Sequence, residues 1–282
     1  MKSYWQTQKR KIYLAEKTLV MAILNVTPDS FSDGGKFYTI DDALRQAEIL
    51  INEGADILDI GGESTRPNSK RISAQEEIRR VVPIIEAISK RFDVPISIDT
   101  SKKAVAEKAI KAGAEIINDV SGLRFDERIA AVAAETNSGL ILMHLRGDFE
   151  TMHQQSPVEK IFQEVADGLR QSLEIAKSYR VKKANIALDV GIGFSKTFNQ
   201  NLELIAKLNP LCQEFSDFPM LVGASRKSFI GKILDAPPEK RLAGSLATAA
   251  IAVWNGASIV RVHDVKATVD MLKVIDKIKG EL

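Results

Sequence analysis

The sequence is short of the features that mark several large classes of protein. Its only cysteine is Cys212, so an internal disulfide is excluded and a reducing, cytoplasmic setting is expected. The apolar run TLVMAIL at 18–24 is too short for a signal sequence or a membrane span. A net charge of +2 provides no broad basic or acidic field, which argues against a nucleic-acid or membrane partner.

Signatures of a resident metal or a covalent nucleophile are also missing. The three histidines, His144, His153 and His263, are far apart, and no HExxH or CxxC spacing occurs. Neither a nucleophile elbow nor a complete GxxxxGK[ST] phosphate loop is present. A Mg²⁺ ion carried in by a substrate diphosphate is still compatible with the sequence, because Mg²⁺ often takes few protein ligands and keeps its waters.

Short apolar runs recur along the chain, and amphipathic helical patterns lie between most of them. The runs are LVMAILN, DILDIG, VPISIDT, EIINDV, LILMHL, NIALDV, MLVGAS and SIVRVH. Alternation of strand and helix patterns predicts a parallel sheet with helices outside it, and eight such units favour a closed barrel over an open doubly wound sheet. We therefore predict an α/β fold, a single-domain (βα)8 TIM barrel over residues 20–282, with residues 1–19 as a lead-in covering the barrel's N-terminal end.

Glycines stand between several helical patterns and the strand that follows. Gly54, Gly113, Gly139 and Gly256 are predicted to be left-handed helix caps. Several other residues are expected to have no part in binding or catalysis. Cys212 and Trp254 should pack in the core, whereas Lys102, Lys103 and His153 should face solvent.

Polar residues end most of the predicted strands. They are Asn25, Asp59, Asp99, Asn118, Asp119, His144, Asp189, Ser225, Arg226, Lys227, Arg261 and His263. Asp or Asn at any one strand end can simply cap the next helix. In a (βα)8 barrel, however, all C-terminal strand ends meet at one mouth, so this many polar residues predict a binding site there.

The chemistry of these side chains divides into two groups. One group offers carboxylate, amide and ammonium groups suited to a flat heterocycle with N–H donors and a carbonyl on one edge; it contains Asp99, Asn118, Asp189 and Lys227. The other offers donors and positive charge suited to a phosphate or pyrophosphate; it contains Asn25, Arg261 and His263.

Several ordered motifs between about residues 19 and 265 resemble those of the dihydropteroate synthase family. They are MAILNVTPDSFSDGG, DIGGESTRP, SIDTSK, INDVSG, GASRKSFIG and RVHDV. The resemblance implies a barrel enzyme of folate biosynthesis that condenses 6-hydroxymethyl-7,8-dihydropterin diphosphate with 4-aminobenzoate, releasing pyrophosphate. It also implies a homodimer, a requirement for Mg²⁺, and competition by sulfonamides, which mimic 4-aminobenzoate.

The resemblance further implies roles for individual residues. The pterin would be bound by Asp99, Asn118, Asp189, Lys227, Arg261, Met143 and Phe194. The diphosphate would be bound by Asn25, Arg261, His263 and Thr65, with Asn25 also near the Mg²⁺. The 4-aminobenzoate pocket would contain Phe31, Thr65, Arg66, Pro67, Phe194, Lys227 and Ser225. Residues with a catalytic part would be Asp99, Asn25, Arg261, His263 and Lys227, acting through a dissociative route that forms a pterin methylene cation.

Two loops and one departure from the family pattern complete these expectations. Residues 27–35 are predicted to form a first mobile loop, with Thr65, Arg66 and Pro67 on a second. After Asp189 the family commonly has proline and Gly-Phe-Gly-Phe, whereas this chain has Val190 and then GIGF, which leaves the shape of that loop open.

Two alternative functions are compatible with a pterin pocket. A corrinoid-type methyltransferase has a related barrel but does not require the SRK segment, the RVHD segment or the NVTPDSFSDGG loop. A non-catalytic pterin-binding paralogue would be expected to lose the diphosphate residues, and Asn25, Arg261 and His263 are all present.

Overall fold

A closed barrel of parallel strands organises the protein, whose computed structural model describes residues 4–26, 39–65 and 69–281. The barrel strands are β3 (Leu19–Asn25), β4 (Ile57–Gly61), β5 (Ile96–Asp99), β6 (Ile116–Asp119), β7 (Gly139–Met143), β8 (Ile186–Asp189), β9 (Met220–Val222) and β10 (Ile259–Val262). They pair in chain order, and β10 closes the ring against β3. The predicted (βα)8 barrel is confirmed.

Helices surround the barrel and turn one apolar stripe inward. They are α1 (Ile40–Asn52), α2 (Ala74–Arg91), α3 (Lys103–Ala112), α4 (Ile129–Thr136), α5 (Ile161–Ser178), α6 (Phe198–Ala206), α7 (Asn209–Glu214), α8 (Ser228–Leu234), α9 (Leu242–Trp254) and α10 (Val265–Lys279). In α1 the buried residues are Ala43, Ala47 and Leu50, three- and four-residue steps that keep one face on the sheet. Such packing leaves the C-terminal strand ends open at one mouth.

The predicted glycine caps are correct at three positions and wrong at one. Gly54, Gly113 and Gly256 have positive φ angles of 102°, 121° and 109° after α1, α3 and α9. Gly139 instead begins β7, and Asn137 takes the left-handed conformation at the end of α4 with φ of 55°. A β-carbon on Gly139 would lie 3.1 Å from the Trp5 ring, so close packing explains that glycine.

A two-stranded hairpin lies against the N-terminal end of the barrel. It consists of β1 (Tyr4–Gln6) and β2 (Lys11–Tyr13). Trp5 is fully buried against the first residues of barrel strands such as Leu19 and Ile259, and its Nε1 donates to the Asn185 carbonyl at 2.7 Å. The division of the chain at residue 19 stays a prediction.

The prediction of core packing is confirmed for Cys212 and wrong for Trp254. Cys212 packs against the core, and burial raises the pKa of its thiol to about 12, as expected of an unreactive cysteine. The prediction that Trp254 is a core residue is wrong, since its side chain is 49% exposed on α9. A helix with apolar residues on every face is predicted to be buried, and α9 has no charged residue that would indicate an exposed face.

Some predictions fall outside the described part of the chain. They concern the predicted mobile loop at 27–35, which includes Phe31, and the predicted pocket residues Arg66 and Pro67. Among the helices that the structure describes, none is long and apolar enough to cross a membrane.

Candidate active site

A pocket opens at the C-terminal mouth of the barrel and brings together most of the predicted site residues. The predicted residues that line it are Thr65, Asp99, Asn118, Met143, Asp189, Phe194, Ser225, Lys227, Arg261 and His263. The sequence did not single out Ile23, Val120 and Gly223, which add apolar wall and backbone, because such residues carry no chemical signal of their own.

Strand register places the polar residues of neighbouring strands side by side. Asn25 pairs with Gly61, Gly61 with Asp99, and Asp99 with Asn118, which makes one row across β3, β4, β5 and β6. A β-carbon on Gly61 would lie 3.5 Å from Asn25 Oδ1 and 3.8 Å from Asp99 Oδ2. Glycine therefore keeps space open between these two oxygens. Asn25 lies at the edge of this row and does not itself line the pocket.

Arg261 forms the electrostatic centre of the mouth. Its Nε donates to Asp59 Oδ2 at 2.6 Å and its Nη2 to Asp99 Oδ2 at 2.7 Å. Burial alone would lower the pKa of Arg261, but the two carboxylates raise it above its usual value, so the charge is permanent. The same Asp59 oxygen accepts from Asn118 Nδ2 at 3.1 Å, which joins the guanidinium to the amide.

Asp59 is a site residue whose role the sequence did not reveal. It is fully buried beneath Arg261 and holds both Arg261 and Asn118 in place. It stands two residues before the end of β4, where it looked like one more strand-end aspartate. Alternation along the strand could have marked it, because Asp59 and Gly61 share one face of β4.

Asp189 and Lys227 face the pocket from the far side of the barrel. Burial raises the pKa of Asp189, opposed by the Lys227 ammonium and by the Gly191 N–H, which donates to Asp189 Oδ1 at 2.7 Å. Burial lowers the pKa of Lys227 to about 8. Lys227 Nζ donates to the Ile192 carbonyl and lies 4.7 Å from the centre of the Phe194 ring. The ammonium thus contacts a carbonyl and an aromatic face, and the charge of Asp189 favours its protonated form.

The loop after Asp189, where the chain departs from the family pattern, is tightly held. Val190 and Ile192 are both buried in the core, so the aliphatic residues fill space below the loop. Gly191 has φ of 68°, and a β-carbon there would lie 1.9 Å from the His144 carbonyl oxygen, so only glycine fits. Phe194 follows at the pocket wall.

The buried side chains of Lys196 and His144 support the same loop from outside the pocket. Lys196 Nζ lies 3.0 Å from His144 Nδ1 and donates to the Phe194 carbonyl at 2.9 Å. Burial lowers the pKa of His144 to about 2 and that of Lys196 to about 7, so the imidazole is neutral and accepts from the amine. His144 therefore supports the loop and does not line the pocket.

Ser225 and His263 lie side by side at the mouth. Ser225 Oγ lies 3.1 Å from His263 Nδ1 and accepts from the His263 backbone N–H at 3.2 Å. The next residue, Arg226, takes a left-handed conformation with φ of 58° and is held by Asp264 through Nε at 3.0 Å. This turn directs Lys227 into the pocket while Arg226 points to Asp264.

The prediction that Lys102 is a surface charge is wrong. Its side chain is only 12% exposed, and its Nζ lies 2.8 Å from Glu63 Oε2 and 2.6 Å from Glu77 Oε2. Glu63 Oε1 in turn accepts from the Ile72 N–H at 2.7 Å, which fastens the end of the loop after β4 to its beginning. Glu63 and Glu77 are 39 and 25 residues away from Lys102, so no local pattern could indicate the cluster.

We expect Lys102→Met to lower the free energy of unfolding by about 3 kcal/mol, because it leaves two buried carboxylates without their cation. Urea denaturation measures the loss. Lys103→Met is the matched control, since Lys103 is 40% exposed and lies 3.5 Å from an equally exposed Glu107; its cost should stay within about 0.5 kcal/mol. Equal stability of the two variants would show that the buried cluster contributes nothing.

His153 also differs from its prediction. It is partly buried, its Nε2 lies 2.8 Å from the Thr65 carbonyl oxygen, and its ring stacks on Phe194. The side chain of Lys103, by contrast, is 40% exposed, in line with its prediction.

The described residues contain no group of three or more His, Cys, Asp or Glu side chains that could hold a metal ion. The oxygens that flank Gly61 belong to Asn25 and Asp99, and Asp99 is already paired with Arg261. One amide oxygen suits a Mg²⁺ that takes its other ligands from water and a bound diphosphate, and does not suit an ion held by protein alone.

Together, the fold and the site define a barrel protein whose mouth carries hydrogen-bonding groups suited to a flat heterocycle beside cationic groups suited to an anion. The profile of the pterin binding enzyme family matches residues 21–263. The dihydropteroate synthase of Bacillus subtilis is 47% identical over 96% of this chain and 92% of its own length. This chain belongs to the pterin binding enzymes and, among them, to the dihydropteroate synthase family, as the sequence motifs predicted.

Solved structures agree with this assignment. The dihydropteroate synthase of Yersinia pestis in a sulfonamide complex has a TM-score of 0.92 and 40% identity, with 98% of this chain and 99% of that chain covered. The dihydropteroate synthase of Xanthomonas albilineans with 4-aminobenzoic acid has a TM-score of 0.90 and 38% identity, with the same coverage.

Proposed function

We propose that this protein condenses 6-hydroxymethyl-7,8-dihydropterin diphosphate with 4-aminobenzoate to give 7,8-dihydropteroate and pyrophosphate. The observation that carries the proposal is the convergence of two kinds of group in one pocket. Asp99, Asn118 and Asp189 supply hydrogen-bonding groups for a pterin, and Arg261 and His263 supply donors for a diphosphate. The pocket therefore matches both halves of the first substrate.

The pterin is proposed to lie across the floor of the pocket. Asp189 accepts hydrogen bonds from the pterin N–H edge, and Lys227 donates to its carbonyl. Asn118 and Asp99 contact the opposite edge, while Met143 and Phe194 provide apolar surface and Arg261 stacks over the ring. On binding, Arg261 exchanges part of its contact with Asp99 for contact with substrate.

Loss of the diphosphate is proposed to precede attack by the weakly nucleophilic aniline. Asp99 and Asp189 place negative charge beside the pterin methylene as it becomes cationic. Arg261 and His263 take up charge on the departing pyrophosphate, with Asn25 and Thr65 beside them. A Mg²⁺ ion held at Asn25 would add positive charge on the pyrophosphate. The aniline proton can pass to pyrophosphate, so no side chain needs to act as a strong base.

The second substrate is proposed to lie toward the loop after β4. Four residues that line the pocket are assigned to this part of it: Thr65, Phe194, Ser225 and Lys227. Arg66, Pro67 and Phe31 are assigned to the same pocket on the family resemblance. Sulfonamides are expected to compete there with 4-aminobenzoate.

The decisive assay measures pyrophosphate release from the pterin diphosphate. We expect release that depends on added 4-aminobenzoate and on Mg²⁺. Release without 4-aminobenzoate would indicate a hydrolase, and complete absence of release would indicate a pterin-binding protein. Transfer of a methyl group from a tetrahydrofolate, with no release of pyrophosphate, would support the methyltransferase alternative.

The pH dependence of kcat/KM for the pterin diphosphate should be a narrow bell. Burial raises the pKa of Asp99 to about 7, against the lowering effect of Arg261 and with a contribution from the nearby Asp59. Below that value Asp99 is protonated and loses its charge, whereas above about 8 Lys227 loses its proton. Activity should therefore fall on both sides of pH 7 to 8, since kcat/KM reports the free enzyme.

Lys227→Arg isolates the alkaline limb of that profile. Arginine stays protonated throughout the accessible pH range, so the fall above about pH 8 should disappear even if total activity is lower. Persistence of an unchanged alkaline limb in this variant would assign it to another group.

The protein is also proposed to be a homodimer through the outer face of α9. Ala243, Ala247, Ile251 and Trp254 are exposed on this helix, which has no charged residue. Ile251 and Trp254 are 48% and 49% exposed, and the three- and four-residue spacing places all four residues on one apolar face of the kind that marks an interaction site. A second copy of the same face would cover them, because two-fold dimers are self-complementary.

We expect Ile251→Glu and Trp254→Glu to be monomeric in sedimentation velocity at concentrations where the wild type is dimeric. A buried charge on each subunit would remain without a partner at such an interface. Tyr13→Glu, which alters a 57% exposed residue on the hairpin, should leave the dimer intact. Dimers of unchanged affinity in both α9 variants would place the interface elsewhere.

A further inference from the structure

His153 stands behind the pocket and touches two of its walls. Its Nε2 lies 2.8 Å from the Thr65 carbonyl oxygen, and its ring centre lies 5.6 Å from that of Phe194, with the ring planes 30° apart. Because a carbonyl oxygen only accepts, Nε2 carries the hydrogen and donates it. Thr65 and Phe194 both line the pocket, whereas His153 does not.

The backbone on either side of His153 is fixed independently of these two contacts. Met152 is 1% exposed in an apolar cluster with Met143 and Phe149, and its carbonyl accepts from Ser195 Oγ at 2.9 Å. One residue earlier, the Thr151 N–H donates to Asp148 Oδ1 at 2.8 Å in a tight turn. The imidazole therefore projects from a rigid base, and the two pocket walls are positioned against it.

The walls that His153 joins belong to separate loops. Thr65 follows β4 and Phe194 follows β8, while His153 itself follows β7. The far side of the β4 loop is attached to the same region, because the Arg71 guanidinium lies 5.4 Å from the ring centres of both Phe125 and Phe149. Residues of the β6 and β7 loops thus hold the β4 loop on both sides of the segment 66–68.

We propose that His153 is a positioning residue that sets the distance between Thr65 and Phe194, and with it the fit of the second substrate. That substrate is a flat aromatic amine that carries a carboxylate, so this inference rests on the proposed function. The hydrogen-bonding groups assigned to the pterin are fixed by other residues, since Arg261 pairs with Asp99 and Asp59 with Asn118. Phe194 and Thr65, which His153 contacts, border both substrates. Changes at His153 should therefore act mainly on the second substrate.

Steady-state kinetics of three variants tests the proposal. His153→Ala removes both contacts and should raise KM for 4-aminobenzoate about ten-fold, the combined scale of one hydrogen bond and one ring contact. KM for the pterin diphosphate should change less than about two-fold. His153→Gln keeps a donor for the Thr65 carbonyl and His153→Phe keeps a ring for Phe194, so each should recover part of the loss.

A neighbouring residue provides the control. Gln154 is exposed in the same segment, and Gln154→Ala should leave both KM values unchanged. An unchanged KM for 4-aminobenzoate in His153→Ala, or equal increases in both KM values, would refute the positioning role. Thermal melting of each variant checks that the fold is retained.

Assays of the wild-type protein distinguish a failure of this inference from a failure of the proposed function. Wild-type protein that binds 4-aminobenzoate without releasing pyrophosphate would refute the condensation alone. His153→Ala would then be judged by its Kd for 4-aminobenzoate in calorimetry, where a loss of about ten-fold is expected and an unchanged value would refute the positioning role.

Discussion

Arg261→Ala is expected to lower kcat/KM for the pterin diphosphate by at least about 10²-fold, the scale on which one preorganised electrostatic group acts. Arg261 is the cation that Asp59 and Asp99 hold at the mouth, within 2.6 and 2.7 Å. Its position is thus fixed before substrate arrives, so no reorganisation is required when charge develops on the pyrophosphate. Steady-state assay of pyrophosphate release, with 4-aminobenzoate saturating, measures the effect.

The same substitution should also destabilise the protein, in a way that depends on pH. Without Arg261 the buried Asp59 and the nearby Asp99 face each other with no cation between them, which costs roughly 3 kcal/mol. Protonation of one carboxyl relieves the repulsion, so the loss in urea unfolding should be smaller at pH 5 than at pH 8. The loss of stability is smaller at the lower pH because the folded variant takes up a proton at one of these carboxyls and the unfolded chain does not.

Arg10→Ala separates the two effects of removing Arg261. Arg10 pairs at 2.8 Å with Glu115, which is 1% exposed and precedes β6 at the opposite end of the barrel. Its loss should lower stability while kcat/KM stays within about two-fold of the wild type, because no electrostatic group of the pocket is changed. Near wild-type turnover in Arg261→Ala, or an equal loss of activity in Arg10→Ala, would contradict the assignment of Arg261.

The parts of the fold that were predictable are those that repeat. Most strands are short apolar runs that end at or next to a polar residue, and the parallel barrel brings these ends to one mouth. Local patterns were therefore sufficient to predict that Asp99, Asn118 and Asp189 belong to the site. The sequence also predicted an anion site at Arg261 and His263, because a cation and an imidazole stand at the end of the last strand. Their convergence follows from strand order alone.

The errors share a different physical cause. Lys102 and His153 take their partners from Glu77, 25 residues away, and Thr65, 88 residues away. Nothing in a local window distinguishes a lysine or histidine that faces solvent from one that meets a distant carboxylate or carbonyl. Trp254 shows the reverse error, since an apolar helix face has the same sequence pattern whether its own barrel or another surface covers it.

Asp99→Asn is expected to lower kcat/KM for the pterin diphosphate by about 10²-fold, again the scale of one fixed electrostatic group. The amide keeps the shape of the side chain but removes the charge that is proposed to stabilise the pterin methylene as it becomes cationic. It also removes the group whose pKa of about 7 forms the acid limb of the pH profile. The variant should therefore be less active at every pH and lack the fall below pH 7, which a series of kcat/KM measurements from pH 5.5 to 9 would show.

The double variant Asp99→Asn with Arg261→Ala decides whether the two residues act together. Asp99 Oδ2 and Arg261 Nη2 are 2.7 Å apart, well within the range where effects of substitutions fail to add. If Asp99 acts partly by holding Arg261 in place, the double variant should lose much less than the product of the single losses. Fully multiplicative losses would mean that Asp99 acts on the pterin cation and Arg261 on the diphosphate independently, with Asp59 alone sufficient to position the guanidinium.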